Sequence, residues 1–192
     1  SSELQLQQEH VVPFEAQAPD RYGRGGIDIR ELFRASLRMR PDRVVVGECR
    51  GAETLDMIQA MTSGHSGSLS TCHANSPKDA LNRLETMALM GDVGLPLQAL
   101  RAQLSSAVDI VVQINRFHDG ARKVTAITEV LQLDVDGQYQ IRDILTLGNA
   151  SGVSASQRRL EFKNDQPTFA GEVFVHGMED RISSSMACWA SS

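Results

Sequence analysis

Three adjacent β-branched residues, Val44-Val45-Val46, opened by Pro41-Asp42 and closed by Gly47, constrain this chain more than any other stretch. Such a run fits a short strand covered on both faces, as in a parallel sheet, rather than the alternating pattern of a half-wet hairpin. A carboxylate, Glu48, stands where the strand should end. In open α/β sheets ligands bind just beyond the carboxyl ends of the strands, which makes Glu48 a candidate catalytic residue. Its structural alternative is a simple ion pair with Arg50.

A second short strand is expected over Ser68-Leu69-Ser70-Thr71-Cys72-His73, again with a titratable group at its far end. If the two strands are neighbours, Glu48 and His73 converge at one sheet edge, and a carboxylate with an imidazole can orient and deprotonate a water. The alternative for His73 is a structural histidine bonded to backbone. His65, in the turn Ser63-Gly64-His65-Ser66-Gly67, is a weaker candidate. No metal site is assigned: adjacent Cys72 and His73 would point to opposite faces of a strand, and no C-x-x-C or H-x-x-x-H spacing occurs. Cys49 is a poor nucleophile, because a neighbouring carboxylate raises a thiol's pKa.

Along the rest of the chain, Val11-Val12-Pro13-Phe14 offers one short strand, and Arg21-Tyr22-Gly23-Arg24-Gly25-Gly26 reads as a mobile loop. A helical pattern begins at Ile27, with Ile29, Leu32, Phe33 and Leu37 as a buried stripe and Pro41 as its stop. Arg30, Arg34 and Arg38 recur on another face of that helix. They are either a solvated face partly paired by Glu31 and Glu48, or a row of guanidinium groups suited to phosphoryl charge. Helices are expected about Ala52 to Thr62, from a Ser76-Pro77 start with Asp79 three residues after the cap, and through Leu97, Leu100, Leu104 and Val108. The period then changes to strand over Asp109 to Asn115, Val124 to Asp134 and Tyr139 to Leu147, the last two forming a hairpin about Asp134-Val135-Asp136-Gly137. Beyond Gly148 the pattern fades, and the Ser- and Ala-rich segments 151–157 and 183–192 predict a poorly ordered tail over 150–192.

Composition sets the remaining bounds. A length of 192 residues suits one domain, or a core with a tail, and a net charge of −5 argues against a general nucleic-acid binder. No apolar run approaches the ~18 residues of a spanning helix, and the first residues lack the pattern of a signal peptide. Three scattered cysteines, Cys49, Cys72 and Cys188, make no disulfide framework, so the cytoplasm is the simplest compartment. The chain opens on a serine and is expected to begin part-way through a larger protein.

Residues 37–51, LRMRPDRVVVGECRG, and 62–77, TSGHSGSLSTCHANSP, resemble the Walker B and His boxes of the type II/IV secretion ATPases, and within them the CpaF/TadA-type ATPases of tight-adherence (Flp) pilus systems. The resemblance runs from about residue 3 to about 147. It implies an α/β RecA-like core, a hexameric ring, ATP with magnesium, and work on inner-membrane pilus or secretion platform proteins from the cytoplasmic side. By the same resemblance Glu48 matches the Walker B glutamate that polarises the attacking water. His73, and less firmly His65, match the box that senses the γ-phosphate. Arg38 matches the arginine-bearing helix that can serve a neighbouring subunit, with Arg34, Arg21 and Arg24 as substitutes. No G-x-x-x-x-G-K-[S/T] occurs in the 192 residues. The expectation is therefore the C-terminal half of the ATPase domain over 1–149, inactive alone. A half-length, non-catalytic ring partner or adaptor is the alternative.

Overall fold

A computed structural model describes residues 4–91, 94–148, 157–163 and 167–169. The element order is α1 (Ile29–Leu37), β1 (Val45–Val46), α2 (Glu53–Met61), β2 (Leu69–Ser70), α3 (Pro77–Leu89), α4 (Leu97–Ala107), β3 (Ile110–Arg116), β4 (Arg122–Val130), β5 (Ile141–Leu147) and β6 (Leu160–Phe162). Two compact units result. The first takes the chain up to Val108 together with Gln132–Tyr139; the second takes Asp109–Leu131 and Gln140 onward.

In the first unit β1 and β2 pair in parallel, Val45 with Leu69 and Val46 with Ser70, with α2 in the connection between them. The condition that the two short strands be neighbours is therefore met, although each is only two residues long and Val46 alone of the valine run is buried. Helix α2 packs against α1, α3 and α4, and its Ile58 has no exposed surface. Around it Leu55, Leu81, Leu100 and Leu104 are also buried. Each such side chain removed from water contributes about 2 kcal/mol, so the core of this unit is the set of helix faces that meet on α2.

Local signals fix the starts of α1 and α3. Asp28 caps α1 and shares a reciprocal capping box with Glu31, so the helix starts at Ile29 rather than Ile27. Helix α3 starts as expected, with the Ser76 hydroxyl accepting from Asp79 N–H at 3.2 Å and Pro77 at the first position. Other expectations are corrected. Helix α1 ends at Leu37, and Arg40 takes a φ of 52°, so the helical path is already lost before Pro41. Of its apolar stripe only Phe33 is buried; Ile29 is exposed, and Leu32 and Leu37 are half-buried. Residues 11–14 form no strand, and the ladder there is reduced to one bridge between Gln17 and Ile27. The arginine loop is a tight turn: one Asp20 carboxylate oxygen accepts from Tyr22 N–H at 2.8 Å and Arg24 N–H at 2.9 Å.

Still within the first unit, the turn at Asp134–Gly137 forms where the sequence placed it. Asp134 accepts from Asp136 and Gln138 N–H, and Gly137 supplies a φ of 71° that a side chain would resist. Buried Tyr139 donates to Glu85 at 2.9 Å, and Arg101 donates to the same carboxylate at 2.8 Å.

The second unit is an antiparallel sheet in the order β3-β4-β5-β6, with bulges at Gln113/Ile114 and Ile127/Thr128. Strand β6 lies inside the region expected to be a tail, pairing Phe162 with Leu145. The Ser- and Ala-rich stretches 151–156 and 183–192, and Cys188, lie outside the described residues. Glu129 on β4 is 1% exposed, and its two oxygens are bonded by Arg142 and by the backbone and hydroxyl of Thr168. Burial pushes its carboxyl up, but the bonds from Thr168 and Arg142 outweigh burial and hold it below the ordinary range.

Because the folded pKa of Glu129 is lowered, its contribution is present above the unfolded value and is lost as pH falls through the folded one. Arg142→Ala leaves this carboxylate short of a partner, with an expected loss of about 3 kcal/mol at neutral pH. Urea denaturation at pH 7 and at pH 3 checks both: the gap between wild type and variant should narrow at the lower pH.

Candidate functional site

The parallel register continues past the two-residue strands. Leu69 N–H donates to Val44 O at 3.0 Å, Cys49 N–H to Thr71 O at 2.9 Å, and the Thr71 hydroxyl to Gly47 O at 2.6 Å. The Ser68 hydroxyl accepts from Val44 N–H at 3.1 Å while donating to His65 O at 2.8 Å, which ties the His65 turn to the first strand. With the backbones aligned this far, the residues just beyond both strand ends meet.

Glu48 and His73 do meet: Glu48 Oε1 lies 3.1 Å from His73 Nε2. The other oxygen, Oε2, accepts from Arg50 at 2.7 Å (Nε) and 2.5 Å (Nη2). One carboxylate thus makes both the contact with His73 and the ion pair with Arg50. Its pKa is lowered, chiefly by the Arg50 hydrogen bond against a smaller opposing effect of desolvation, with help from the charges of Arg50, His73 and Arg83. Glu48 is therefore ionised at neutral pH. His73 is widely exposed, and an open groove of about 740 Å³ runs past it along α3, lined by Arg50, Asn75, Asp79, Asn82 and Arg83 among others. Arg83 makes no ion pair among the described residues. An imidazole and two guanidinium groups line the groove, and with the ionised Glu48 bonded to His73 and Arg50 they can hold a water beside an anion.

Cys49 turns away from this groove. It is 1% exposed, with its Sγ 3.2 Å from Ser70 Oγ and 3.6 Å from Met57 Sδ. Burial is the largest cause of its raised pKa, and Glu53 and Glu48 add to it. The carboxylate effect expected from the sequence is real but secondary.

The other candidates are not brought to this pair. His65 is half-buried, and its Nδ1 is buried without a hydrogen bond among the described residues. Arg30 and Arg34 both pair with Asp56 on α2, Arg34 at 3.0 Å, rather than with Glu31 or Glu48. Arg38 is exposed at the α1 C-cap, and no ion pair holds it among the described residues. Arg21 and Arg24 stack on exposed Tyr22, at 4.8 and 5.2 Å from the ring centroid.

Glu53 and Asp56, which organise this region, were not singled out in the sequence. Glu53 is buried, and its Oε1 accepts from Arg50 N–H at 2.6 Å and Gly51 N–H at 2.9 Å. An acid in the first turn of a helix was the available signal, but it is common enough to pass as helix-end electrostatics.

A family model described as "Type II/IV secretion system protein" matches residues 1–161. A Mycobacterium tuberculosis protein named for conjugal transfer is 38% identical over 134 residues, covering 70% of this chain and 38% of that one. The type IV secretion system protein PtlH of Bordetella pertussis is 46% identical over 100 residues, covering 50% of this chain and 30% of its own. Among solved structures, the VirB11 ATPase of the Brucella suis type IV secretion system, in complex with sulphate, aligns with a TM-score of 0.50 and 37% identity. That alignment covers 53% of this chain and 31% of the VirB11 chain. The chain thus spans between 30% and 38% of the length of these relatives.

With Cys49 sealed under the strand ends and its thiol pushed up, a brief pulse of iodoacetamide at neutral pH should label half-buried Cys72 well before Cys49. Peptide-level mass spectrometry reads the two rates. Equal rates would mean that the floor of the site opens freely in solution.

Proposed function

Because the chain belongs to the type II/IV secretion system protein family, we propose that it is the water-activating part of an ATP-hydrolysing secretion motor, with Glu48 as the group that orients and polarises the attacking water. The observation that carries this reading is the ionised Glu48 carboxylate at a strand end, bonded to His73 and Arg50 beside an open, cation-lined groove. Each carboxylate oxygen has two lone pairs, so with Arg50 taking both positions on Oε2 and His73 one on Oε1, Glu48 keeps one acceptor position, on Oε1. Nearby Arg50 keeps it charged, which suits an acceptor that aligns a water more than one that fully removes its proton.

The residues present fit one end of bound MgATP. Arg50 and Arg83 supply positive charge, and together with His73 they supply donors, for a terminal phosphate. No phosphate-cradling G-x-x-x-x-G-K-[S/T] loop occurs in the 192 residues, and in this reading those contacts come from a P-loop outside them. When bound, MgATP supplies the phosphoryl group and the metal charge that stabilises its transfer. The residues of this chain orient the water and offset the charge that develops beside it. In the same reading the ring is hexameric, sits on the cytoplasmic face of the inner membrane, and drives export or Flp-type pilus assembly. A half-length, non-catalytic ring partner or adaptor is the second reading. In a longer chain that joins this segment to a P-loop, Glu48→Gln should keep ATP affinity while lowering turnover ~10²-fold or more, the scale of a positioned acid–base group. Affinity and turnover falling together would make Glu48 structural, unchanged turnover would remove it from the water-activating role, and a parent chain with no turnover of its own would favour the non-catalytic reading.

Arg38 is the arginine best suited to act on a neighbouring subunit, since Arg34 is held by Asp56 and Arg21 and Arg24 are stacked on Tyr22. A guanidinium supplied in trans is worth ~10³-fold in rate. In the longer chain Arg38→Ala should leave ATP binding nearly intact and abolish hydrolysis. Mixing it with Glu48→Gln subunits under exchange conditions should restore measurable activity. No recovery above either variant alone would assign Arg38 to its own subunit or to the fold.

A further inference from the structure

Glu53 opens α2, where an acidic side chain ordinarily serves the helix's own first N–H groups. Here it faces the other way. Its Oε1 accepts from the backbone N–H of Arg50 and of Gly51, two residues that precede the helix, while the N-cap position, Ala52, has no side-chain cap. The carboxyl group is buried, and a Cβ placed on Gly51 would stand 3.4 Å from Glu53 Oε2, so the side chain closes directly over the turn.

We propose that Glu53 is a positioning residue: by holding the Arg50 and Gly51 peptide groups it fixes the turn that keeps Glu48 between His73 and Arg50. Only Cys49 separates Glu48 from Arg50, and Cys49 is itself anchored through its N–H to Thr71 O and through its buried thiol. The turn is therefore held at both ends, by β2 on the Cys49 side and by Glu53 on the Arg50 side. Without the second anchor the Arg50 peptide can rotate, and its guanidinium leaves Glu48 Oε2. The contact that most lowers the Glu48 pKa is lost with it. A hydrogen bond to a charged acceptor is about twice as strong as one between neutral groups. A carboxylate thus holds this turn more firmly than an amide, and an amide more firmly than a methyl group.

The catalytic meaning of the proposal rests on the reading of Glu48 given above, but its test does not. In the 192-residue chain, carbon-detected NMR follows the Glu48 carboxyl titration, whose charged neighbours are Arg50, His73 and Arg83, and amide exchange follows Arg50 and Gly51. Glu53→Ala should raise the Glu48 midpoint towards its ordinary value. It should also speed exchange at the two amides about tenfold, the scale of one net hydrogen bond, with the α3 and α4 amides unchanged. Glu53→Gln, which keeps an oxygen at the same reach, should restore most of both. If Glu53→Ala unfolds the chain, Glu53→Asp withdraws the oxygen by one bond and is compared with Glu53→Gln in its place. The proposal is overturned if the Glu48 midpoint and both amides are unmoved, or if the glutamine variant behaves like the variant that loses the acceptor. ATP takes no part in these measurements, so their failure refutes the positioning role alone, while the Glu48→Gln turnover experiment decides the catalytic reading separately.

Discussion

The parallel pairing of β1 with β2 is the contact on which the meeting of Glu48 and His73 depends. It is small, two residue pairs in the regular ladder, yet it joins stretches more than twenty residues apart. Closing a loop of that size costs chain entropy that two neutral hydrogen bonds, each worth about 1 kcal/mol net, do not offset alone. The difference comes from α2 within the loop, whose Leu55, Met57 and Ile58 are buried against neighbouring helices. Side-chain hydroxyls then lengthen the alignment beyond the strands: Ser68 bonds Val44, and Thr71 bonds Gly47. Glu48 and His73 meet because apolar burial elsewhere makes this weak ladder stable enough to set their spacing.

The carboxylates around this scaffold share one solution. Glu48 has Arg50 and His73, Asp56 has Arg30 and Arg34, Glu85 has Arg101 and Tyr139, and Glu53 has two peptide N–H groups. A desolvated carboxylate is costly unless several donors share its charge. The net charge of −5 gives no hint of this arrangement, because what matters is where each acid finds its donors. The consequence for Glu48 is chemical as well as structural: the donors that make its partial burial tolerable also keep it ionised.

Signals carried by neighbouring residues were legible in the sequence. The valine run and the Ser68–His73 stretch marked the two strands, Ser76-Pro77 marked the start of α3, and Asp134–Gly137 marked a hairpin turn, since each depends on local sterics or a local cap. The meeting of Glu48 and His73 followed once the strands were taken as neighbours. Long-range partners were not legible. Asp56, not Glu31 or Glu48, takes Arg30 and Arg34, because packing of α1 on α2 decides which acid is within reach. Glu53 has the look of an ordinary helix-start acid, and only the folded backbone shows that it faces the preceding turn. The apolar stripe of α1 is buried only at Phe33, because helical periodicity says which side chains share a face and not whether anything covers it.

The buried Glu129 also bears on where this chain can be cut. Two of its four hydrogen bonds come from Thr168, and strand β6 lies at Leu160–Phe162, both past the point near 150 where periodicity fades from the sequence. A recombinant boundary drawn at that fading would remove an edge strand and leave an ionisable group in the sheet with half its donors. The polypeptide that remained would carry the whole Glu48–His73 neighbourhood and yet expose the backbone of β5, an open strand edge of the kind through which chains associate.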